Sequence, residues 1–214
     1  PVELTRLTNL KELKISGLDS DSFLDNIVGN IEQLQNLTSL ELSSLTLKEL
    51  PDSLGQLKGL TTLNVNDNNL TELPESITQL ESLTTLNLNN NNLAEFPKSI
   101  ICLSNLTSLG LDGNNIFDLP NTLSRLSNLT SLSLRNTKLI ELPVSIGYLK
   151  NLTNIKKKKN RLSELPDSIR RLSNLTSLDL GKNRLTKLPE NIGQLSNLTS
   201  LILKDNKLSE LPES

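Results

Sequence analysis

Six carboxylates recur at one fixed spacing along the chain and are the first candidates for chemistry. Each stands 23 residues after the previous one, so stacking of repeated units would bring neighbouring acids close together. Carboxyl groups roughly 5–5.5 Å apart can serve as the acid and the nucleophile of a retaining glycosidase, and paired carboxylates can also bind cations. That proximity follows from the repeat itself, and the pattern indicates no cleft. We therefore interpret this acidic column as a solvated ridge; it comprises Glu49, Glu72, Glu95, Asp118, Glu141 and Glu164.

Other catalytic arrangements lack the residues that they need. The chain has no histidine, which excludes Ser-His-Asp and Cys-His nucleophiles and histidine metal ligands. No glycine-rich phosphate loop of Walker or Rossmann spacing occurs. The single cysteine, Cys102, cannot form an intramolecular disulfide, and its register predicts a partly exposed thiol. The sequence thus predicts a protein that is not an enzyme, with no catalytic residue, no cofactor and no metal site.

The acidic column belongs to a 23-residue unit that fills nearly the whole sequence. Its frame is L-x-x-L-x-L-x-x-N-x-L-x-x-L-P-x-x-I-x-x-L-x-N, and residues 175–197 hold a complete copy. Between Leu60 and Val65 apolar and polar residues alternate, which predicts a short half-buried strand with Leu63 and Val65 pointing inward. The Leu-Pro pair then favours an extended residue followed by a helix of about two turns. Stacked units would place their strands side by side in a parallel sheet, about 4.8 Å apart.

An asparagine recurs just after most of the predicted strands. A turn buried between units leaves backbone N–H and C=O groups that need partners, and a side-chain amide can donate and accept at once. We therefore expect a hydrogen-bonded asparagine ladder, interrupted where Leu18, Leu45 and Thr137 replace the amide. Its members are Asn68, Asn91, Asn114, Asn160, Asn183 and Asn206.

This frame resembles the 23-residue class of leucine-rich repeats, which occurs in bacterial repeat proteins, Roco-type GTPases and Ras-group-related intracellular proteins. The resemblance covers essentially the whole chain. It implies an α/β repeat solenoid, a curved horseshoe of about nine repeats. The parallel sheet would line its concave side, and short helical or 3-10 segments would lie on its convex side. Partners, usually proteins, would bind the concave strand face.

We expect one leucine-rich repeat domain over residues 1–214, with irregular repeats in 1–36 and regular 23-residue repeats in 37–214. The first full unit is longer, and Val28 stands where proline is expected. Asp19, Asp21 and Asp25 in that unit suggest a solvated loop rather than a calcium loop, because the glycine and the distal glutamate of an EF-hand are missing. Both ends fall part-way through a repeat without an evident cap, which predicts a fragment of a longer protein.

N-x-T triplets raise the alternative of a glycosylated, secreted protein. Most of them fall at one position of the repeat that leads into the strand, where we expect a glycan to hinder stacking. We interpret them as part of the repeat pattern, which favours a cytoplasmic location; secretion or a bacterial surface is the alternative. No apolar run is long enough to span a membrane. The triplets begin at Asn36, Asn69, Asn105, Asn128, Asn151, Asn174 and Asn197.

Lys157 is out of place in the apolar pattern. By register it takes an inward position that leucine holds in the adjacent units, at Leu134 and Leu180. An ionised buried lysine is unfavourable, so the side chain must reach solvent, lose its proton or distort the strand. We interpret the site as a local weak point; a functional lysine and an error in the sequence are the alternatives.

The net charge of −2 conceals a division of the chain. Residues 1–130 carry 7 Lys+Arg and 16 Asp+Glu, a net charge of −9, whereas residues 131–214 carry 15 and 8, a net charge of +7. By register, ten basic residues of the second part fall on the outward strand face and the turn beside it. We predict that they bind the partner; they are Arg135, Lys138, Lys156, Lys158, Lys159, Arg161, Lys182, Arg184, Lys204 and Lys207.

The sequence therefore predicts a non-catalytic module that recognises another protein on its concave face. The partner would be acidic or phosphorylated, and self-association through the two oppositely charged parts is an alternative. Nucleic acid is disfavoured because no aromatic residue stands at the outward strand positions to stack on bases. Two other functions remain open: a regulatory domain of a larger signalling GTPase or kinase, and a recognition protein secreted by a bacterium or held on its surface.

Overall fold

The computed structural model describes residues 4–17 and 30–213. Within these ranges the chain forms one parallel sheet of nine strands, arranged side by side in chain order. The strands are β1 Glu12–Ser16, β2 Ser39–Ser43, β3 Thr62–Asn64, β4 Thr85–Asn87, β5 Ser108–Gly110, β6 Ser131–Ser133, β7 Asn154–Lys156, β8 Ser177–Asp179 and β9 Ser200–Ile202.

Each strand from β2 to β8 is followed by a turn, an extended segment and a short 3-10 helix that leads into the next strand. The 3-10 helices are η1 Leu4–Arg6, η2 Ile31–Gln33, η3 Asp52–Gln56, η4 Glu75–Gln79, η5 Lys98–Cys102, η6 Asn121–Arg125, η7 Val144–Tyr148, η8 Asp167–Arg171 and η9 Ile192–Gln194. They form a second layer, packed helix against helix, on the other side of the leucine core.

The register of the strands places equivalent residues of successive repeats side by side. Leu63 pairs with Leu86, and Leu86 pairs with Leu109, so the inward leucines form a continuous column. These side chains are almost completely buried, as are Val65 and its equivalents from Leu42 to Leu180. The predicted alternation of inward apolar and outward polar residues is therefore confirmed, and it fixes which side chains face outward.

The short helical or 3-10 segments predicted after the Leu-Pro pairs are 3-10 helices of three to five residues in the described ranges. The carbonyl of Pro51 accepts the first helical bond from Leu54 N, so the proline caps the helix and does not begin it. A 3-10 helix has three residues per turn, which places the buried Leu54 and Leu57 directly above one another. The apolar spacing of three residues is therefore better suited to this helix than to an α-helix.

The asparagine ladder is present. Asn91 donates to the carbonyls of Val65 and Leu88 at 3.0 and 3.1 Å, and its amide oxygen accepts from Leu70 N at 2.9 Å. Thr137 bonds to Leu134 O and to the Asn160 side chain but makes no bond to the preceding repeat in the described ranges, so the ladder is interrupted there. The departures predicted at Leu18 and Val28, and the aspartates at 19, 21 and 25, lie outside the described residues.

Candidate functional site

The strands from β6 to β9 position the outward side chains of the basic part of the chain. In β7, Asn154 and Lys156 face outward while Ile155 between them is buried. The strand register aligns Lys156 with Ser133 on one side and Asp179 on the other. Adjacent strands lie about 4.8 Å apart, so outward residues of neighbouring repeats form columns across the concave side.

The ten basic residues predicted as the partner-binding site lie in these columns and in the turn beside them. Four of them, spaced by 23 residues, stack into an edge column; Arg161 N, for example, donates to Leu139 O at 2.9 Å. Nine of the ten are exposed and Lys156 is half-buried. We call this set the basic strip: Arg135, Lys138, Lys156, Lys158, Lys159, Arg161, Lys182, Arg184, Lys204 and Lys207.

One member of the basic strip forms an ion pair within the described ranges. The guanidinium of Arg135 lies 3.7 Å from the carboxylate of Asp179, across two strands. Asp179 is mostly buried and also accepts a hydrogen bond from Gly181 N at 3.1 Å. The other nine side chains have no salt bridge or side-chain hydrogen bond to described residues. Their positive charges are therefore not neutralised by the part of the protein that the structure describes.

Two lysines of the basic strip occupy strained backbone positions. Lys159 and Lys182 have φ angles of 64° and 55°, in the left-handed region. The equivalent positions of other repeats hold Asp67, Asn90 and Gly113, which are residue types that tolerate this conformation. A lysine there costs about 1 kcal/mol. The chain therefore places positive charge at this turn in spite of the local backbone preference.

The outward residues of the N-terminal repeats differ from the basic strip because several of their side chains form hydrogen bonds with one another. Asn90 Nδ2 donates to Asp67 Oδ1 at 2.8 Å, and Ser133 Oγ donates to Asp112 Oδ1 at 2.6 Å. Asp112 also accepts from the backbone N–H of Arg135. These internal bonds satisfy polar groups of that part of the face, whereas in the basic strip only Arg135 has an ion-pair partner among the described residues.

The acidic column is solvated in the structure, but four of its members, Glu95, Asp118, Glu141 and Glu164, line shallow grooves and do not form a ridge. All six carboxylate residues are exposed, on the flank that carries the Leu-Pro pairs. Within residues 4–17 and 30–213, no three His, Cys, Asp or Glu side chains are grouped so that they could hold a metal ion. Cys102 is also exposed. The part of the chain that is described has no helix with the length and apolar character needed to cross a membrane.

Lys157 lies in the leucine core, as its register predicts, and its side chain does not reach solvent. Its exposed fraction is 0%, and its Nζ has no hydrogen-bond partner among the described residues. Burial lowers the pKa of Lys157 from 10.5 to about 7. The strand is not distorted, since Lys157 N still donates to Asp179 O at 2.8 Å. Of the three expected responses, loss of the proton agrees best with this geometry.

The N-x-T triplets have a structural role that sequence reasoning did not identify. Asn128 Nδ2 donates to Ser104 O at 2.9 Å, and the Thr130 hydroxyl donates to Thr107 O at 3.0 Å. The same two bonds recur at the triplets that begin at Asn36, Asn105, Asn151, Asn174 and Asn197. These asparagines are exposed, so the expectation that a glycan there would hinder stacking is not supported by burial. The sequence did contain a signal for this structural role, since N-x-T recurs at one fixed position in most repeats.

Comparisons with known proteins agree with this architecture. The family model described as leucine rich repeat matches residues 35–93, 58–116 and 150–208, which together make up more than half of the chain. No curated protein sequence matches the chain significantly.

Solved structures provide close matches. A leucine-rich repeat protein of Leptospira interrogans superposes with a TM-score of 0.91 and 35% identity, over 99% of this chain and 53% of that protein. An internalin of Listeria monocytogenes superposes with a TM-score of 0.81 and 25% identity, over 98% and 65%. The ectodomain of an Arabidopsis thaliana membrane receptor kinase, solved in complex with Casparian strip integrity factor 2, gives a TM-score of 0.82 and 29% identity, over 99% and 26%.

The chain therefore spans about half of the Leptospira protein, about a quarter of the receptor kinase ectodomain and about two thirds of the internalin. The superpositions confirm the predicted curved solenoid, with the sheet on its concave side. Together, the repeat frame, the nine-stranded sheet and the family match establish that this chain belongs to the leucine-rich repeat family.

Proposed function

We propose that this leucine-rich repeat domain is a non-catalytic recognition module whose basic strip binds an acidic or phosphorylated protein. Domains of this family typically serve as protein-interaction modules; this sequence has no histidine and no glycine-rich phosphate loop, and its described residues hold no group of three possible metal ligands. The observation that carries the proposal is the set of nine cationic side chains that have no partner among the described residues and are stacked on the outward face and edge of four adjacent repeats.

The geometry of the basic strip suits an extended anionic surface. Its columns repeat about every 4.8 Å, which lets several cations contact one ligand at the same time. Arginine can form paired hydrogen bonds with a carboxylate or phosphate, while lysine acts as a compact charge. The strained turn lysines support the same function, since local backbone preference does not favour them there. Lys156 is half-buried between its neighbours and should contribute to binding more than the freely solvated lysines.

Electrostatic recognition of this kind predicts fast association that weakens with salt. Charges exposed to solvent are screened over about 8 Å at physiological ionic strength. A cytoplasmic location is part of the proposal, because the N-x-T triplets have a structural explanation and give no support for secretion.

The test replaces Arg135, Lys158, Arg161 and Arg184 with serine and measures binding of fluorescein-labelled synthetic peptides by anisotropy across a salt series. The probes are one peptide rich in glutamate and serine, the same peptide with phosphoserine in place of serine, and a neutral peptide of the same length. We expect the parent protein to bind both acidic probes, and the variant to bind them at least roughly tenfold more weakly with a smaller salt slope.

The matched control removes the same number of positive charges elsewhere, with Lys48, Lys98, Arg125 and Arg170 changed to serine; these side chains are exposed and lie outside the basic strip. We expect the control to bind like the parent apart from a small uniform loss. Equal weakening of the control and the strip variant would show that only net charge matters. Unchanged affinity in the strip variant would show that the strip is not the binding site.

A further inference from the structure

The flank that carries the Leu-Pro pairs exposes large apolar side chains in two adjacent repeats. Phe117, Ile140 and Val144 are 53%, 52% and 66% exposed. In the described ranges, other exposed large apolar residues belong to the first and last repeats, apart from Tyr148, on which Arg171 stacks. The three residues also lie in the gap between residues 116 and 150, which the family model does not match.

The fold does not require apolar residues at these positions. The positions equivalent to Phe117 and Ile140 in later repeats hold Ser163 and Thr186. Repeats with these small polar residues form the same strand, turn and 3-10 helix. The apolar patch is therefore an addition to the repeat, and its side chains remain in contact with water in the absence of a partner.

Phe117 and Val144 line two grooves that share residues, and Ile140 lies beside Phe117, to whose backbone oxygen its N–H donates at 3.4 Å. A groove of about 250 Å³ is lined by Phe96, Phe117 and Pro120, by the acidic residues Glu95 and Asp118, and by Lys98. The adjoining groove, of about 450 Å³, crosses three repeats and is lined by Pro120, Pro143 and Val144, among others. Asp118 and Pro120 line both, so the two form one depression, which we call the flank groove. It lies on the Leu-Pro flank, away from the outward sheet face that carries the basic strip.

The charge around the flank groove is net negative, because its lining holds four carboxylates and one cation, Lys98. Glu95, Asp118, Glu141 and Glu164 line it, all four are exposed, and none forms a salt bridge with the described residues. Because they are equivalent residues of successive repeats, they extend over about 14 Å at the repeat spacing. Nucleic acids, phosphates and anionic lipid surfaces would be repelled by this column. A ligand with positive charges alongside apolar groups would be attracted.

We propose that the flank groove binds a polypeptide segment of a partner protein in which apolar side chains alternate with lysine or arginine. The apolar side chains would cover Phe117, Ile140 and Val144, and the basic side chains would pair with the carboxylates beside them. Four carboxylates over about 14 Å match an extended segment of about four residues, at 3.3 Å per residue. This surface is separate from the basic strip, so the domain could hold two partners, or two parts of one, at the same time.

A second copy of this chain fits the flank groove less well. Its most basic exposed stretch surrounds Lys158, and it offers lysine and arginine without large exposed apolar side chains, apart from Ile202. Self-association is therefore an outcome for the experiment to detect and is not the proposed occupant.

The test uses fluorescein-labelled synthetic peptides and a variant whose groove resembles the neighbouring repeats. The variant combines Phe117→Ser, Ile140→Thr and Val144→Asn, which are residue types that the chain already holds at equivalent positions, so folding should be preserved; a circular dichroism melt checks this. A second variant, Asp118→Asn with Glu141→Gln, removes charge and keeps the apolar surface. The probes are a peptide of alternating lysine and leucine, the same peptide with serine for leucine, and the same with glutamate for lysine.

We expect the lysine–leucine probe to bind the parent, and each groove variant to weaken it at least roughly tenfold. The serine-for-leucine and glutamate-for-lysine probes should bind at least tenfold more weakly than the lysine–leucine probe. The serine variant of the basic strip should bind the lysine–leucine probe as the parent does, which separates a failure of this proposal from a failure of the proposed function. Equal binding of the lysine–leucine probe to all variants would overturn the proposal. So would concentration-dependent dimerisation of the parent in sedimentation that the apolar variant abolishes, because the occupant would then be a second copy.

Discussion

Replacing the buried Lys157 with leucine should stabilise the protein strongly. The side chain occupies the inward column between Leu134 and Leu180, with an exposed fraction of 0%, and its Nζ has no partner among the described residues. The adjacent repeats hold leucine at the equivalent position of this column, so a leucine side chain fits there in both size and polarity. The change therefore removes the desolvation of an amine and completes the apolar packing.

The size of the effect follows from the pKa. Burial lowers the pKa of Lys157 from 10.5 to about 7, so the unfolded state binds more protons than the folded state between these two values. The part of the destabilisation that depends on pH is absent above pH 10.5, grows as the pH falls towards 7, and is constant below that. At about 1.36 kcal/mol per pH unit, it reaches about 4 kcal/mol at pH 7. For a chain of this length that corresponds to roughly 8–16 °C in melting temperature.

The assay is urea unfolding, followed by circular dichroism at several pH values between 6 and 10, for the parent and Lys157→Leu. We expect the free energy of unfolding of Lys157→Leu to exceed that of the parent by a large amount at pH 7 and by less towards pH 10. The difference narrows because the parent becomes more stable as the lysine of its unfolded state loses its proton. Lys158→Leu, one residue along and exposed, is the control and should change stability by less than about 0.5 kcal/mol. A gain that is absent at pH 7, or that does not depend on pH, would refute the argument from burial.

Two further predictions concern packing, and both are measured by urea unfolding. Leu86→Ala should destabilise by roughly 2–5 kcal/mol, because Leu86 is 1% exposed in the inward column; a loss below about 0.5 kcal/mol would contradict the register. Gly147→Ala should cost about 1–3 kcal/mol, since a Cβ there would lie 2.4 Å from the backbone oxygen of Ser168. Gly59→Ala is its control: the nearest atom would be 3.7 Å away, so the two variants should differ clearly.

The sequence predicted the architecture because the repeat is regular. A fixed period of 23 residues places each residue beside its equivalent in the next unit, so one correct unit gives the strand register of the whole sheet. The inward leucines, the asparagine ladder, its interruption at Thr137 and the buried position of Lys157 all follow from that register. The columns of the basic strip follow from it too, which is why its residues could be named before the structure.

Other features depended on the direction and reach of individual side chains, which the period does not specify. The Asn128 amide could have pointed to solvent or to several backbone groups, and the structure shows that it bonds to Ser104 O. The 3-10 form of the helices is likewise seen only in the structure. Pro51 has an extended backbone, and its carbonyl accepts a hydrogen bond from the N–H of Leu54, three residues later. An α-helical pattern and a 3-10 pattern differ too little over five residues for the sequence alone to separate them.

The sequence by itself determined which residues share a column, because that requires only the period. The tertiary structure decided which of them interact, because interaction also requires distance and burial. It paired Arg135 with Asp179 two strands away and left the rest of the basic strip without partners in the described ranges. It also brought Phe117 and Val144 to the border of one acidic groove and placed the exposed Ile140 beside Phe117. Those residues lie outside the strands, so the alternation of inward and outward strand residues does not predict where their side chains lie. Only the folded backbone shows that they are close together.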